Sequence, residues 1–320
     1  MYSLVIPVYK NEGSIPDLLE TLAQLDGDLD GRLEVIFVVD GSPDRSFELL
    51  SERLPRARYA SKLLLHSRNY GSFAAIRTGL IAATGSHCAV MAADLQEPPE
   101  LIREFFRILS TGDVDVVVGT RESRDDPWLS RVASRAFWFL YRRFIVPEIP
   151  PGGVDVFGCS RGFRDELLRM EESHSSLIAL VFWLGFRRQT VPYRRRPRRH
   201  GRSAWTLRRK LTYLSDSLFA FSDLPIKVLL CLGSVGLGVS IIFGLVVLVL
   251  RVANVVQVPG YAATITTILF FGALNTIGIG IIGAYVWRAY ANTQARPLAV
   301  VMRSIEFERR DGPSGDQAAG

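Results

Sequence analysis

Residues 228–250 and 252–287 contain no charged side chain, and this constrains the fold more than any other feature of the chain. The runs are 23 and 36 residues long, with Arg251 between them. Crossing the hydrocarbon core takes about 20 apolar residues, so each run has room for one spanning helix. Ordinary buried helices are shorter. The short link near Asn254–Gly260 turns the pair into a hairpin, with spans expected at about 228–250 and 262–287. Gly233, Gly236, Gly238 and Gly244 in the first run would let two backbones approach closely, as would Gly272, Gly278, Gly280 and Gly283 in the second.

The charges outside these runs suggest an orientation. Basic residues lie before the first run and after the second, and the link has only Arg251 at its edge. Positive residues stay inside, so both termini and the domain that precedes the hairpin are expected in the cytoplasm, on a multi-pass protein of the inner membrane. The N-terminus, Ser3–Val8, reads as a strand without a basic leader, so no signal peptide is expected. Between Arg187 and Lys210 stand eleven Arg or Lys and no acid, a juxtamembrane cluster that suits anionic lipid headgroups. The net charge of +6 does not indicate nucleic acid, because no stacking-aromatic array or recognised module accompanies it. Cys88, Cys159 and Cys231 are scattered and odd in number, which fits reduced thiols. His66, His87, His174 and His200 lack metal-ligand spacing.

Residues 1–223 alternate between strand and helix patterns. Strands are expected at Tyr2–Val8, Leu33–Val39, Ser61–His66, His87–Ala92 and Val114–Gly119. Helices fall between them, at Ile15–Leu25, Pro43–Leu54, Ser72–Ala83 and Pro98–Ser110. Ser14 and Ser42 stand where N-caps would. Such alternation indicates an α/β fold with a mostly parallel sheet and crossover helices. Polar residues then recur at the carboxyl ends of successive strands: Tyr9 and Glu12, Asp40, Arg68, Asp94 with Gln96, and Arg121. Parallel sheets bind ligands beyond those ends, so five strands doing this in turn make a site lining. Asp94 by itself is equally explained as a helix cap. Residues 1–223 contain no G-x-G-x-x-G or G-x-x-x-x-G-K-[ST] loop, which argues against an ordinary dinucleotide or P-loop site. Asp126–Phe144 and Leu207–Phe221 read as amphipathic helices, the first suited either to a membrane surface or to packing on the domain.

Seven stretches together resemble family-2 glycosyltransferases of the GT-A (Rossmann-like) fold, in particular the polyprenyl-phosphate branch that includes dolichyl-phosphate mannose synthases. They are IPVYKNE (6–12), VVDGSPD (38–44), SRNYGSFAAIRTGL (67–80), ADLQEPPE (93–100), VVGTR (117–121), GGVDVFGCSR (152–161) and RRHGRSAW (198–205). The resemblance implies a GT-A domain over 1–205, a juxtamembrane helix over 206–224, the spans within 225–290, and a partly disordered cytoplasmic tail over 291–320. It implies that Pro7, Tyr9, Glu12 and Asp40 hold the base and ribose of a nucleotide-sugar, with Arg68 near the donor. Asp94 would bind Mg²⁺ or Mn²⁺ on the diphosphate with Gln96 close by, and Arg121 would meet the lipid phosphate. Asp155 would lie near the sugar and assist transfer, while Arg198 and Ser203 would close over the phosphates.

The implied reaction is inverting transfer from a UDP- or GDP-sugar to polyprenyl phosphate, making a lipid-linked donor for the cell envelope. Relatives of this kind can form homo-oligomers through their membrane segments. Three stretches depart from the family pattern: Val39 and Ala92 stand where relatives often carry Asp, and Ala204-Trp205 follows Ser203 where Lys and an aromatic are usual. Mg²⁺ is often held by only one or two protein carboxylates, so Ala92 need not abolish a metal site, and metal dependence stays open. Two alternatives stay open: another lipid or glycan acceptor, or a non-catalytic nucleotide-sugar-binding membrane scaffold.

Overall fold

The computed structural model describes residues 1–121, 138–139, 141–143, 145–150, 153–154, 156–172, 175–197, 207–253 and 260–310. Its centre is β2 (Leu33–Val39), buried at every position, as expected of an apolar strand covered on both faces. Strand β1 (Tyr2–Val8) pairs with it in parallel, and so does β3 (Ala60–His66) on the other side. On its far side β1 pairs in parallel with β4 (His87–Val90). The sheet continues through β6 (Phe157–Ser160), antiparallel to both β4 and β5 (Val116–Arg121), and ends at β7 (Arg188–Tyr193), parallel to β5. The full order is β7-β5-β6-β4-β1-β2-β3-β8, where β8 is Val301–Phe307. This is the mostly parallel α/β sheet that the alternation predicts.

Period-two alternation sorts the strand residues into two cores. Leu4, Ile6, Val8, Val35, Phe37 and Val39 face the helices α1 (Ile15–Asp28), α2 (Ser46–Arg53) and α4 (Pro99–Leu109). Val5, Ile36 and Val38 face α3 (Ser72–Ala82), α5 (Arg161–Arg169) and α6 (Leu177–Trp183). Helix α3 lies close to the sheet because Gly79 has no side chain. A Cβ there would stand 2.3 Å from Val5 Cγ1 and 3.3 Å from Val38 Cγ2.

Neither serine expected to cap a helix does so. Ser14 Oγ donates to Asn11 O, and Ser42 Oγ donates to Asp44 while accepting from Lys10 N, so α2 begins only at Ser46. Most of Asp126–Phe144 and the position Asp155 lie outside the described residues.

Helix α7 (Leu207–Phe221) leads into α8 (Leu224–Val252), and α9 (Tyr261–Thr293) follows. Within α8 and α9, Leu224–Val247 and Phe270–Thr293 are long and apolar enough to cross a membrane, and almost none of either stretch is buried by protein. Of the glycines expected to bring the helices together, a Cβ on Gly236 would meet Phe271 and one on Gly278 would meet Leu229; on the other six it would meet nothing within 4 Å among the described residues.

The chain then returns to the sheet. Strand β8 pairs antiparallel with β3, and its Ile305 and Phe307 pack on the first core. This places part of the expected tail, 291–320, inside the sheet. Lys62 and Glu306 reinforce the pairing at 3.9 Å, and Arg309 reaches Asp26 at 3.5 Å.

Candidate active site

Strands β1 to β5 and β7 all run the same way, because β4 and β5 are each antiparallel to β6. Their carboxyl ends therefore share one edge of the sheet. The chain order reverses across β1, which lies between β2 and β4, and such a switch point opens a crevice outside the strand ends. Tyr9 and Glu12 follow β1 there and Asp94 follows β4. Met91 N donates to Val5 O at 3.1 Å, which carries the pairing of these two strands up to the crevice.

The loops after β1 and β2 form one unit. Pro7 and Val8 lie beside Val38 and Val39, and Asp40 N donates to Val8 O at 3.0 Å. Lys10, at φ 56°, then turns the chain, so that Lys10 N donates to Ser42 Oγ and Glu12 N donates to Asp44 Oδ2. Glu12 Oε2 accepts from Arg45 N in return. A cavity of about 470 Å³ opens here, lined by Lys10–Ser14, Pro43 and Asp44. Burial would raise the carboxyl of Asp44, but donors from Ser42, Ser46 and Glu12 outweigh it and hold Asp44 below its usual value.

Asp40 is 2 % exposed, and both its oxygens serve the protein. Oδ1 takes His66 Nδ1 at 2.9 Å and Tyr70 N at 2.8 Å, and Oδ2 takes Gly71 N at 2.8 Å. His66 Nε2 meets Thr78 Oγ1 at 2.9 Å, so one neutral tautomer satisfies both ring nitrogens. The result is a fixed loop after β3, with the Arg68 guanidinium 4.2 Å from the Tyr70 ring centroid. Gly41 lies so close that a Cβ on it would stand 2.3 Å from the Arg68 carbonyl carbon. Sequence reasoning set His66 aside because its spacing suits no metal. Its partnership with Asp40 is made by the pairing of β2 and β3, which sequence spacing does not reveal.

Asp94 is partly exposed and accepts Gln96 N at 3.3 Å, across Leu95 at φ 54°. Gln96 is joined to the chain beyond β7. Its carbonyl accepts Arg196 N at 2.8 Å, its Nε2 donates to Arg196 O at 3.3 Å, and its Oε1 accepts from Arg195. The basic run is thus partly used inside the domain: Arg196 pairs with Glu100 at 3.3 Å, Arg187 with Asp115 at 2.9 Å, and Arg188 with Glu148. Hydrogen bonding from Arg187 lowers the carboxyl of Asp115. Arg121 closes β5 beside Tyr193. Arg198 and Ser203 lie outside the described residues.

Among the described residues no group of three His, Cys, Asp or Glu converges as a metal cage. Asp94 is a hard oxygen donor at the crevice, which fits a Mg²⁺- or Mn²⁺-type ion completed by substrate phosphates and water.

Residues 3–170 match the family described as glycosyl transferase family 2. An uncharacterized glycosyltransferase of Synechocystis sp. is 32 % identical, covering 93 % of this chain and 94 % of its own. The undecaprenyl-phosphate 4-deoxy-4-formamido-L-arabinose transferase of Pseudomonas paraeruginosa is 30 % identical across 100 % of this chain and 95 % of its own. A prophage bactoprenol glucosyl transferase homolog of Escherichia coli is 28 % identical, covering 94 % and 98 %. With the match spanning most of the sheet and the relatives aligned nearly end to end, the chain belongs to glycosyl transferase family 2.

Proposed function

We propose that this protein transfers a glycosyl group from a nucleotide-sugar to polyprenyl phosphate at the cytoplasmic face of the inner membrane. The observation that carries the reading is the run of polar strand ends from Tyr9 to Arg121 on one sheet edge, in a chain that also has two membrane-length helices. Relatives that align over nearly the whole chain and are named for undecaprenyl phosphate or bactoprenol support the acceptor.

In this reading Pro7, Tyr9 and Glu12 hold the base and ribose beside the cavity at Lys10–Ser14. Asp40 acts through the loop it fixes, presenting Arg68 to the donor. Asp94 holds a divalent ion, with Gln96 tying the same loop to the basic segment that continues to Arg198 and Ser203. When bound, that ion offsets charge on the leaving diphosphate. Arg68 and Arg198 add fixed positive charge where negative charge grows. An acceptor phosphate oxygen attacks the anomeric carbon from the opposite face. The bond to the diphosphate oxygen breaks, and its electron pair leaves with the nucleotide diphosphate, inverting the centre. The acceptor is already an anion, so it needs little help from a base, and Asp155 serves the sugar rather than deprotonating a hydroxyl. Arg121 aligns the lipid phosphate, and alignment alone lowers a barrier by several kcal/mol.

The test is a donor screen on purified protein with undecaprenyl phosphate and Mg²⁺ or Mn²⁺, reading lipid-extractable label. One nucleotide-sugar should give a lipid-linked monosaccharide, and Asp94→Asn should lower its rate by more than about 100-fold. Nucleotide release without glycolipid would overturn the acceptor. No turnover with any donor and either metal would overturn the enzyme.

A further inference from the structure

Helix α7 carries two sets of contacts on different faces. Towards the catalytic domain, Leu214, Leu218 and Phe221 pack at i, i+4, i+7 on the second core. Between them Ser217 is fully buried, with its Oγ 3.1 Å from Tyr141 Oη, which also lies 3.5 Å from Ser176 Oγ. Towards the hairpin, Asp216 and Phe219, three residues apart, meet Arg288 and Tyr285, also three apart on α9. Arg288 donates to Asp216 Oδ1 at 3.0 Å, and its guanidinium lies 4.4 Å from the Phe219 ring centroid. Phe219 and Tyr285 meet edge to face at 5.1 Å, and Tyr285 Oη donates to Ser222 O in the elbow between α7 and α8. The side chains of the ion pair are only 18 % and 28 % exposed. An ionised residue at the end of an apolar helix is costly without a partner, and Asp216 supplies one within ion-pair reach.

The other end of α9 is tied as well. Seven residues separate Thr293 from Val301, and within them Val300 O accepts Ser67 N at 3.0 Å, one residue before Arg68. The hairpin is therefore held to the sheet at both its start and its exit, and the exit lies against the Arg68 loop.

We propose that Asp216 and Arg288 form a positioning clamp that sets the height and tilt of the catalytic domain over the bilayer, so that a membrane-embedded lipid phosphate meets the site. This rests on the acceptor proposed above. Neither residue touches substrate. Their effect is on where the bilayer surface lies relative to Asp94 and Arg121, and it is confined to acceptors that are anchored in that surface.

The experiment uses the full chain in phosphatidylcholine–phosphatidylglycerol nanodiscs. Acceptors are undecaprenyl phosphate in the bilayer and a short, water-soluble isoprenyl phosphate. Asp216→Asn should lower the rate with undecaprenyl phosphate at least tenfold. The donor KM and the rate with the soluble acceptor should stay within twofold. Exchanging the charges, Asp216→Arg with Arg288→Glu, should restore most of the loss. Equal losses on both acceptors, or no loss on either, would overturn the clamp.

A second readout does not depend on turnover. A dye on Glu52→Cys in a Cys231→Ala background transfers energy to labelled lipid headgroups. The transfer should change in Asp216→Asn and return in the charge exchange. Constant transfer overturns the clamp even if the wild-type protein glycosylates neither acceptor, an outcome that would by itself overturn only the acceptor proposal.

Discussion

Asp40 accepts three hydrogen bonds from its own domain and is only 2 % exposed. In Asp40→Asn one oxygen becomes an NH₂, which confronts Gly71 N if it replaces Oδ2 and Tyr70 N if it replaces Oδ1. A buried donor left without an acceptor costs about 1–3 kcal/mol, so the melting temperature should fall. Because the damage reaches the Arg68 loop, the donor KM should rise more than kcat falls, as a donor titration would read. Asp44 acts on the neighbouring loop through its charge. Its folded pKa lies below the ordinary carboxylate value, so its stabilisation is fully present above that ordinary value. It is lost as pH falls through the depressed folded value. Donor affinity should therefore weaken at the acid end in wild type, and Asp44→Asn should flatten that limb, by equilibrium binding across pH. The position of Asp40 as a polar strand end was legible in the sequence, whereas its burial was not. Burial depends on His66 and the Tyr70–Gly71 backbone arriving from the next strand, and the alternation pattern identifies strands without showing which polar side chains they bury together.

At the scale of elements, β1, β2, α3 and α4 follow the sequence closely because local periodicity and tertiary burial agree there. They part where a capping residue has a better use. Ser42 is spent on Lys10 and Asp44, so α2 starts at Ser46, three residues after the expected Pro43. They part again at β8, whose Val301, Ile305 and Phe307 carry a strand signal. Its partner β3 lies more than two hundred residues earlier, beyond the hairpin. Helix α3 offers a direct test of packing. Gly79→Ala would place a Cβ 2.3 Å from Val5 Cγ1, in a strand held on both sides by β2 and β4. Overpacking of this kind costs about 1–3 kcal/mol, so the variant should melt lower than wild type in the same detergent. Gly162→Ala, where a Cβ would meet nothing within 4 Å, should leave the melting temperature unchanged.

For the whole molecule, the pairing of β8 with β3 carries a topological consequence. A strand that follows the hairpin can join a sheet that precedes it only if both lie on one side of any membrane that α8 and α9, which are long and apolar enough to span one, would cross. The sheet then fixes the number of crossings as even, independently of the basic residues that suggested a cytoplasmic location. Cysteine labelling reads this directly, because the native thiols interfere little. Burial pushes Cys88 up to about 11 and Cys159 well above its usual value, so both stay protonated and unreactive near neutral pH. Only Cys231 is exposed, and Cys231→Ala removes it. In that background Glu52→Cys, on the catalytic domain, and Glu308→Cys, just after β8, should react with a membrane-impermeant maleimide in inverted vesicles and stay silent in intact cells. Ala253→Cys, at the far end of α8, should do the reverse. Labelling of Glu52→Cys and Glu308→Cys from opposite sides would break the β3–β8 pairing. Labelling of all three from one side would mean that the apolar helices do not span. The expected pattern places the crevice, both basic flanks and the clamp at Asp216 and Arg288 on the face from which a cytoplasmic nucleotide-sugar arrives.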